Sequence, residues 1–311
     1  MSRIHEALKR AEQERAATQG GVTQSGSGPL PSPDNLVSLV EEASGHIQAS
    51  TPGNGTAAGL SGPSSLEASL ARCPQFEWKP DLRSILFMNG SDNVHGMEEY
   101  RTLRSRLYHL REKMPLKTLL ITSALPKEGK SFTAANLAQV MRRQHGRRVL
   151  LIDADLRGPR LHLMLGTALG PGLSDYLQGK SDEFSVIQRG PMDNLFFIPG
   201  GAVVDDPGDL VGNGRLNVLI QKVGQLFDWI IVDSPPAVPV SDASLLAKAC
   251  DGVLMVVRSN STPADMARRA RQEFPDQALV GVVLNAAGQQ EAPYTRYYYE
   301  AYEKKGTATK P

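Results

Sequence analysis

The chain has 311 residues, 41% of them hydrophobic, enough for one sizeable core with appendages or for two small domains. Its 34 Lys and Arg against 33 Asp and Glu leave a formal charge of +1, which argues against a general nucleic-acid or membrane-surface binder, because phosphate contacts usually leave a basic excess. Two cysteines, Cys73 and Cys250, make no disulfide framework and suit a reducing compartment; no run nears the roughly eighteen apolar residues that span a bilayer, and the opening MSRIHEALKR lacks the apolar stretch of a secretory signal.

Residues 2–16 read as a short charged helix, with Ile4, Leu8 and Ala11 on one face and Glu6 one turn before Arg10. Either a solvated helix or one that docks on a partner fits so narrow a stripe. Residues 18–65 hold no aromatic residue, no Lys and no Arg, and 27 of the 48 are Gly, Pro, Ser or Thr. Such composition cannot bury enough apolar surface to offset its ordering entropy, so residues 18–74 are expected to be a disordered linker after an N-terminal helix at 1–17.

From residue 75 to about 290 the composition is globular. Strands are expected at 117–123, 148–152, 195–198, 229–233, 252–257 and 279–284, and helices at 97–113, 130–144, 209–226, 241–249 and 263–273. The apolar runs are nearly continuous, as in strands covered on both faces, and their alternation with helices predicts an α/β fold with a doubly wound, mainly parallel sheet. Ligand chemistry then belongs at the carboxyl ends of the strands. A tail over 291–311 follows.

Ala124-Leu125-Pro126-Lys127-Glu128-Gly129-Lys130-Ser131 follows the first strand and opens a helix. This is the A/G-x4-G-K-S/T phosphate loop in its required context. Backbone N–H groups at the loop and helix start, with Phe132 in the first turn, face the phosphates, and the helix dipole favours their charge. Gly129 admits close backbone approach, Lys130 supplies a point charge for the β- and γ-phosphates, and the Ser131 hydroxyl is a Mg²⁺ ligand. Asp153 and Asp155 stand past the second strand and Asp233 past another, so all three carboxylates share a rim with the loop and are candidates for the metal and the γ-phosphate. Pro235-Pro236 stiffens a segment suited to sensing that phosphate.

These motifs resemble the bacterial tyrosine kinases of capsule and exopolysaccharide assembly, of the separate kinase-domain type, whose P-loop ATPase domain is related to the cell-division (MinD) and plasmid-partition (ParA) ATPases. The resemblance runs over residues 94–302 and rests on Pro126–Ser131, Asp153-x-Asp155-x-Arg157 with Pro159 and His162, Asp233-x-Pro235-Pro236, Ser241-Asp242-Ala243, Asp251-Gly252, Val256-Val257-Arg258 and Val283-Leu284-Asn285. None of the Gly-rich loop, HRD or DFG elements of eukaryotic protein kinases is present. Partition ATPases carry a signature lysine five residues before the Lys130 equivalent; here that position is Leu125. Lys127 stands where the kinases often have Gly. Tyr294, Tyr297, Tyr298, Tyr299 and Tyr302 place five of the 8 tyrosines within nine residues of the tail.

The resemblance implies tyrosine autophosphorylation from ATP and Mg²⁺, with the five tail tyrosines as acceptors. Because free tyrosine has a pKa of about 10, a carboxylate is expected to take its proton, Asp153 as first choice and Asp155 as second, with the two roles interchangeable; the resemblance adds that Asp233 reaches the metal through water and that Arg258 and Asn285 lie near the nucleotide base. It also implies a ring of subunits packed through Glu98-x-x-Arg101-x-x-Arg104, a membrane-embedded polysaccharide chain-length protein as activator, a cognate phosphotyrosine phosphatase, no nucleic-acid partner, and a cytoplasmic chain recruited to the inner face of the plasma membrane. The competing expectation is an ATP-switched scaffold or positioning ATPase without kinase activity. Residues 286–293 extend to at most roughly 26 Å, long enough for the tail to reach an active site.

Overall fold

Alternate residues of each strand supply two separate apolar layers, which is why the runs read as continuous. Leu119, Ile121, Leu151 and Ile231 face one layer, and Leu120, Leu150, Ile152 and Val232 the other. The computed structural model describes residues 65–87, 96–144 and 146–287, which lie in the unit Ser61–Pro311. The expected helix at 2–16, most of the expected linker and the tyrosine cluster lie outside the described residues.

Seven strands form one sheet: β1 (Thr118–Ser123), β2 (Val149–Asp153), β3 (Gln188–Arg189), β4 (Leu195–Ile198), β5 (Trp229–Asp233), β6 (Gly252–Arg258) and β7 (Leu279–Asn285). Their spatial order is β3-β4-β2-β5-β1-β6-β7. All pairings are parallel except β3 with β4. The helices are α1 (Ser65–Ala71), α2 (Met97–Arg111), α3 (Lys130–Arg142), α4 (Leu161–Leu165), α5 (Leu173–Leu177), α6 (Pro207–Gly212), α7 (Arg215–Val223), α8 (Asp242–Ala247) and α9 (Ala264–Gln272). Helices α2, α3 and α4 cover one face of the sheet, and α1 with α5 to α9 cover the other.

Four features depart from the sequence expectations. Residues 65–74 belong to the folded unit rather than to the linker, because Leu70 (6% exposed) and Cys73 (1%) are buried in its core. The helix expected at 209–226 is two helices, parted where Gly212-Asn213-Gly214 reaches φ +79 at Gly214. Strand β3 and the five-residue helices α4 and α5 are too short to carry a period. Residues 75–87 form a strap with no repeating pattern, yet its Trp78, Ile85 and Phe87 are buried in the core. The strap is stitched down by Lys79 N–H to Gly166 O (2.9 Å), Leu86 N–H to Asn136 Oδ1 (2.8 Å) and Asn136 Nδ2 to Ser84 O (2.9 Å).

Candidate active site

Strand order assembles the site. β1 delivers the phosphate loop at the centre of the sheet; its neighbour β5 ends in Asp233, and β2 beyond it ends in Asp153, directly paired with Asp233 in register. Between β1 and α3 the loop holds Lys127 at φ +66 and Gly129 at φ +95. The first value is a left-handed backbone conformation that glycine adopts more easily than lysine. The second is reinforced by crowding, since a Cβ on Gly129 would lie 2.0 Å from Asn285 Nδ2.

Three carboxylates gather around one ammonium. Lys130 Nζ donates to Asp155 Oδ2 at 2.6 Å and to the Ser131 hydroxyl at 3.3 Å, and stands 4.0 Å from Asp233 Oδ1. Burial opposes the charge of Lys130, but attraction to Asp233, then Asp155 and Asp153, outweighs it and raises the lysine pKa. Asp153 Oδ2 accepts the N–H groups of Arg160 and Leu161, each at 3.0 Å, which fixes the carboxylate and leaves Oδ1 buried with no partner. Neither oxygen of Asp233 has a partner of ordinary geometry. Burial, followed by repulsion from Asp233, lifts Asp153 well above the usual carboxylate range; burial lifts Asp233 to about 6 despite the pull of Lys130.

Buried carboxylate oxygens without donors are costly unless a cation meets them. Asp153 Oδ1, both oxygens of Asp233 and the Ser131 hydroxyl therefore fit a Mg²⁺ ion. Among the described residues no three His, Cys, Asp or Glu side chains are grouped to chelate a metal by themselves. The set thus suits an ion held mainly through phosphate and water, the usual habit of Mg²⁺, rather than one caged by the three carboxylates expected from sequence.

The remaining expected residues divide. Phe132 offers only backbone, because its ring packs 6.4 Å from that of Tyr100 in the core. Arg258 and Asn285 brace the loop's backbone: Arg258 Nη1 donates to Lys127 O (3.1 Å) and Asn285 Nδ2 to Glu128 O (2.8 Å). Pro126 and Lys127 are exposed. Glu98 and Arg101 form an i,i+3 ion pair on α2, whereas Arg104 turns inward and donates to Val140 O (3.0 Å).

Sequence reasoning missed the role of Glu128 and all of Thr262. Glu128, 3% exposed, accepts Leu125 N–H at 2.9 Å and the Thr262 hydroxyl, which itself accepts Arg258 N–H at 3.0 Å. No local signal joins residues 134 positions apart.

A ParA family model described as "NUBPL iron-transfer P-loop NTPase" matches residues 116–309. Tyrosine-protein kinase YwqD of Bacillus subtilis is 32% identical over 219 residues, covering 70% of this chain and 91% of YwqD. The chain belongs to the bacterial tyrosine-protein kinases. Tyrosine-protein kinase wzc of Salmonella typhimurium is 32% identical over 223 residues, 71% of this chain but 31% of wzc, so the chain spans about a third of that longer relative. The kinase domain of Escherichia coli ETK superposes with a TM-score of 0.56 at 31% identity, covering 61% of this chain and 77% of that domain. The fold is a P-loop NTPase of the ParA group. The iron chemistry in the family model's description finds no counterpart in the cysteines, since Cys73 is buried in the core and Cys250, whose Sγ bonds Leu246 O, follows α8. Among the described residues no helix is long and apolar enough to cross a membrane.

Proposed function

We propose that this chain is a Mg·ATP-dependent tyrosine autokinase whose acceptors are Tyr294, Tyr297, Tyr298, Tyr299 and Tyr302 of another subunit, and that it regulates polysaccharide chain length through a membrane-embedded partner at the inner face of the plasma membrane. The single observation that carries the reading is the phosphate loop facing a buried carboxylate with one fixed and one unpartnered oxygen, in a chain with five tyrosines between residues 294 and 302.

Mg·ATP, when bound, supplies the phosphoryl group and the divalent charge that steadies it. Lys130 exchanges Asp155 for the phosphates, a short move because its ammonium already lies at the loop mouth. The first-turn N–H groups of α3 add their partial charge. Asp153 Oδ1 accepts the phenolic proton; its raised pKa makes it a stronger base than an ordinary carboxylate, and the Arg160 and Leu161 amides keep it aimed. The tyrosine oxygen bonds to phosphorus as the bond to ADP breaks. Asp155, released by Lys130, and Asp233 would hold water on the metal, and Asp233 still faces the lysine across 4.0 Å. Each phosphorylated tyrosine adds up to about two negative charges, and the accumulated repulsion releases the subunit or its partner, to be reset by a phosphatase.

Mass spectrometry of the tail after expression tests this. The parent is expected to carry phosphotyrosine among the five positions, and Lys130→Met to lose it at least about 100-fold while remaining folded. ADP release with no phosphotyrosine would refute the kinase reading in favour of an ATP-switched scaffold. Equal sedimentation of phosphorylated and dephosphorylated samples would refute release.

A further inference from the structure

Two segments carry the carboxylates of the site, and each has its own anchorage. The segment after β5 is bonded to the root of the phosphate loop: Ser234 N–H to Ile121 O (3.1 Å), Ala237 N–H to Ser123 O (2.8 Å), and Thr122 Oγ1 to Pro235 O (3.0 Å). The segment after β2 is tied to β5 by Ala154 N–H to Asp233 O at 2.8 Å, and the Asp155 carboxylate is held by Lys130 at Oδ2 (2.6 Å) and by Gly158 N–H at Oδ1 (3.2 Å). Once Lys130 turns to a phosphate, only the bond from Gly158, within the same turn, still holds the Asp155 carboxylate. Two residues beyond Asp155, Arg157 makes a fork to Asp242 at the start of α8: Nε to Oδ2 at 2.8 Å and Nη2 to Oδ1 at 2.9 Å. The Asp242 side chain is 2% exposed and that of Arg157 42%.

We propose that the Arg157–Asp242 fork is a yoke that joins the Asp153–Asp155 segment to the Asp233–Asp242 segment, so that the carboxylates keep their mutual spacing while Lys130 changes partners. This rests on the phosphoryl-transfer reading above. Both are positioning residues that touch no reacting atom. A bidentate guanidinium–carboxylate pair fixes direction as well as distance, which a lysine ammonium cannot do.

Arg157→Lys, Asp242→Asn and the double variant of the full chain test the yoke. The measurements are total ADP release with Mg·ATP, phosphotyrosine, and affinity for a fluorescent ADP. Each single variant is expected to lower kcat about 10- to 100-fold, as loss of an orienting partner does, with ADP affinity within about 3-fold of the parent. The double variant should fall no further than the worse single, since one interaction is removed only once. A kcat equal to the parent's in Arg157→Lys, multiplicative losses in the double variant, or ADP affinity falling in step with kcat would each overturn the yoke. Arg157 is half exposed, so Arg157→Lys decides the matter even if Asp242→Asn does not fold. ADP release counts transfer to water and to tyrosine alike, so a parent that releases ADP without phosphotyrosine sinks the kinase reading while the yoke is still measured; a parent that turns over no ATP sinks both.

Discussion

Asp233→Asn should make the ligand-free protein more stable while destroying its activity. Three carboxylates around one ammonium leave the cluster with a formal charge of −2 when all are ionised, in a place where Asp233 is fully buried and no donor meets it in ordinary hydrogen-bond geometry. Folding carries the Asp233 pKa from an ordinary 3.8 to about 6. Above pH 6 the folded protein must ionise a group that the unfolded chain ionises freely, a cost of roughly 3 kcal/mol at 1.4 kcal/mol per pH unit. Because the pKa is raised on folding, the folded state holds the extra proton between about pH 4 and 6. Stability therefore falls as pH climbs through that window and is level above it. Asparagine removes the cost at high pH, relieves Asp153 as well, and still leaves an unpaired buried amide, so a net gain of about 1–2 kcal/mol is expected. For a domain of this size that is roughly 2–8 °C in Tm. Thermal unfolding of parent and variant in EDTA at pH 7.5 and 4.5 measures it. The gain should be present at pH 7.5 and nearly gone at pH 4.5. A variant melting at or below the parent at pH 7.5, or gaining equally at both pH values, would refute the electrostatic account of this site.

Gly129→Ala combines φ +95 with a Cβ only 2.0 Å from Asn285 Nδ2; backbone strain of roughly 1–2 kcal/mol and a displaced hydrogen bond of about 1 kcal/mol lower stability by about 2–3 kcal/mol, and calorimetry should find Mg·ADP binding weakened along with it. Leu70→Ala should cost about 2–3 kcal/mol in urea unfolding because Leu70 is 6% exposed in the core; no change would return residues 65–74 to the linker.

The legible part of this protein was whatever is contiguous in the chain. The phosphate loop and the strand-end aspartates are short motifs whose residue types state their chemistry, and the six longer strands were found within a residue or two because their apolar runs are unbroken. What stayed hidden is made by distant partners. Gln188–Arg189 is a strand because Phe196 and Phe197 lie beside it; within the strap at 75–87, Trp78, Ile85 and Phe87 are buried while the chain is held by Asn136 and Gly166 and received by Gly190, the last so closely that a Cβ would lie 2.2 Å from the Trp78 ring. The helix expected over 209–226 breaks at Gly212-Asn213-Gly214, where Gly214 takes φ +79. Arg104 shows the limit of spacing as a guide: helical geometry puts it near Glu98 and Arg101, but the carbonyl of Val140 draws it inward. The same division runs through the site. Sequence names the groups that meet phosphate, whereas Glu128, Thr262 and the Arg157–Asp242 fork hold those groups in place across 134 and 85 positions of chain. Motifs report reacting groups; the residues that aim them emerge only when the sheet brings the ends of its strands together.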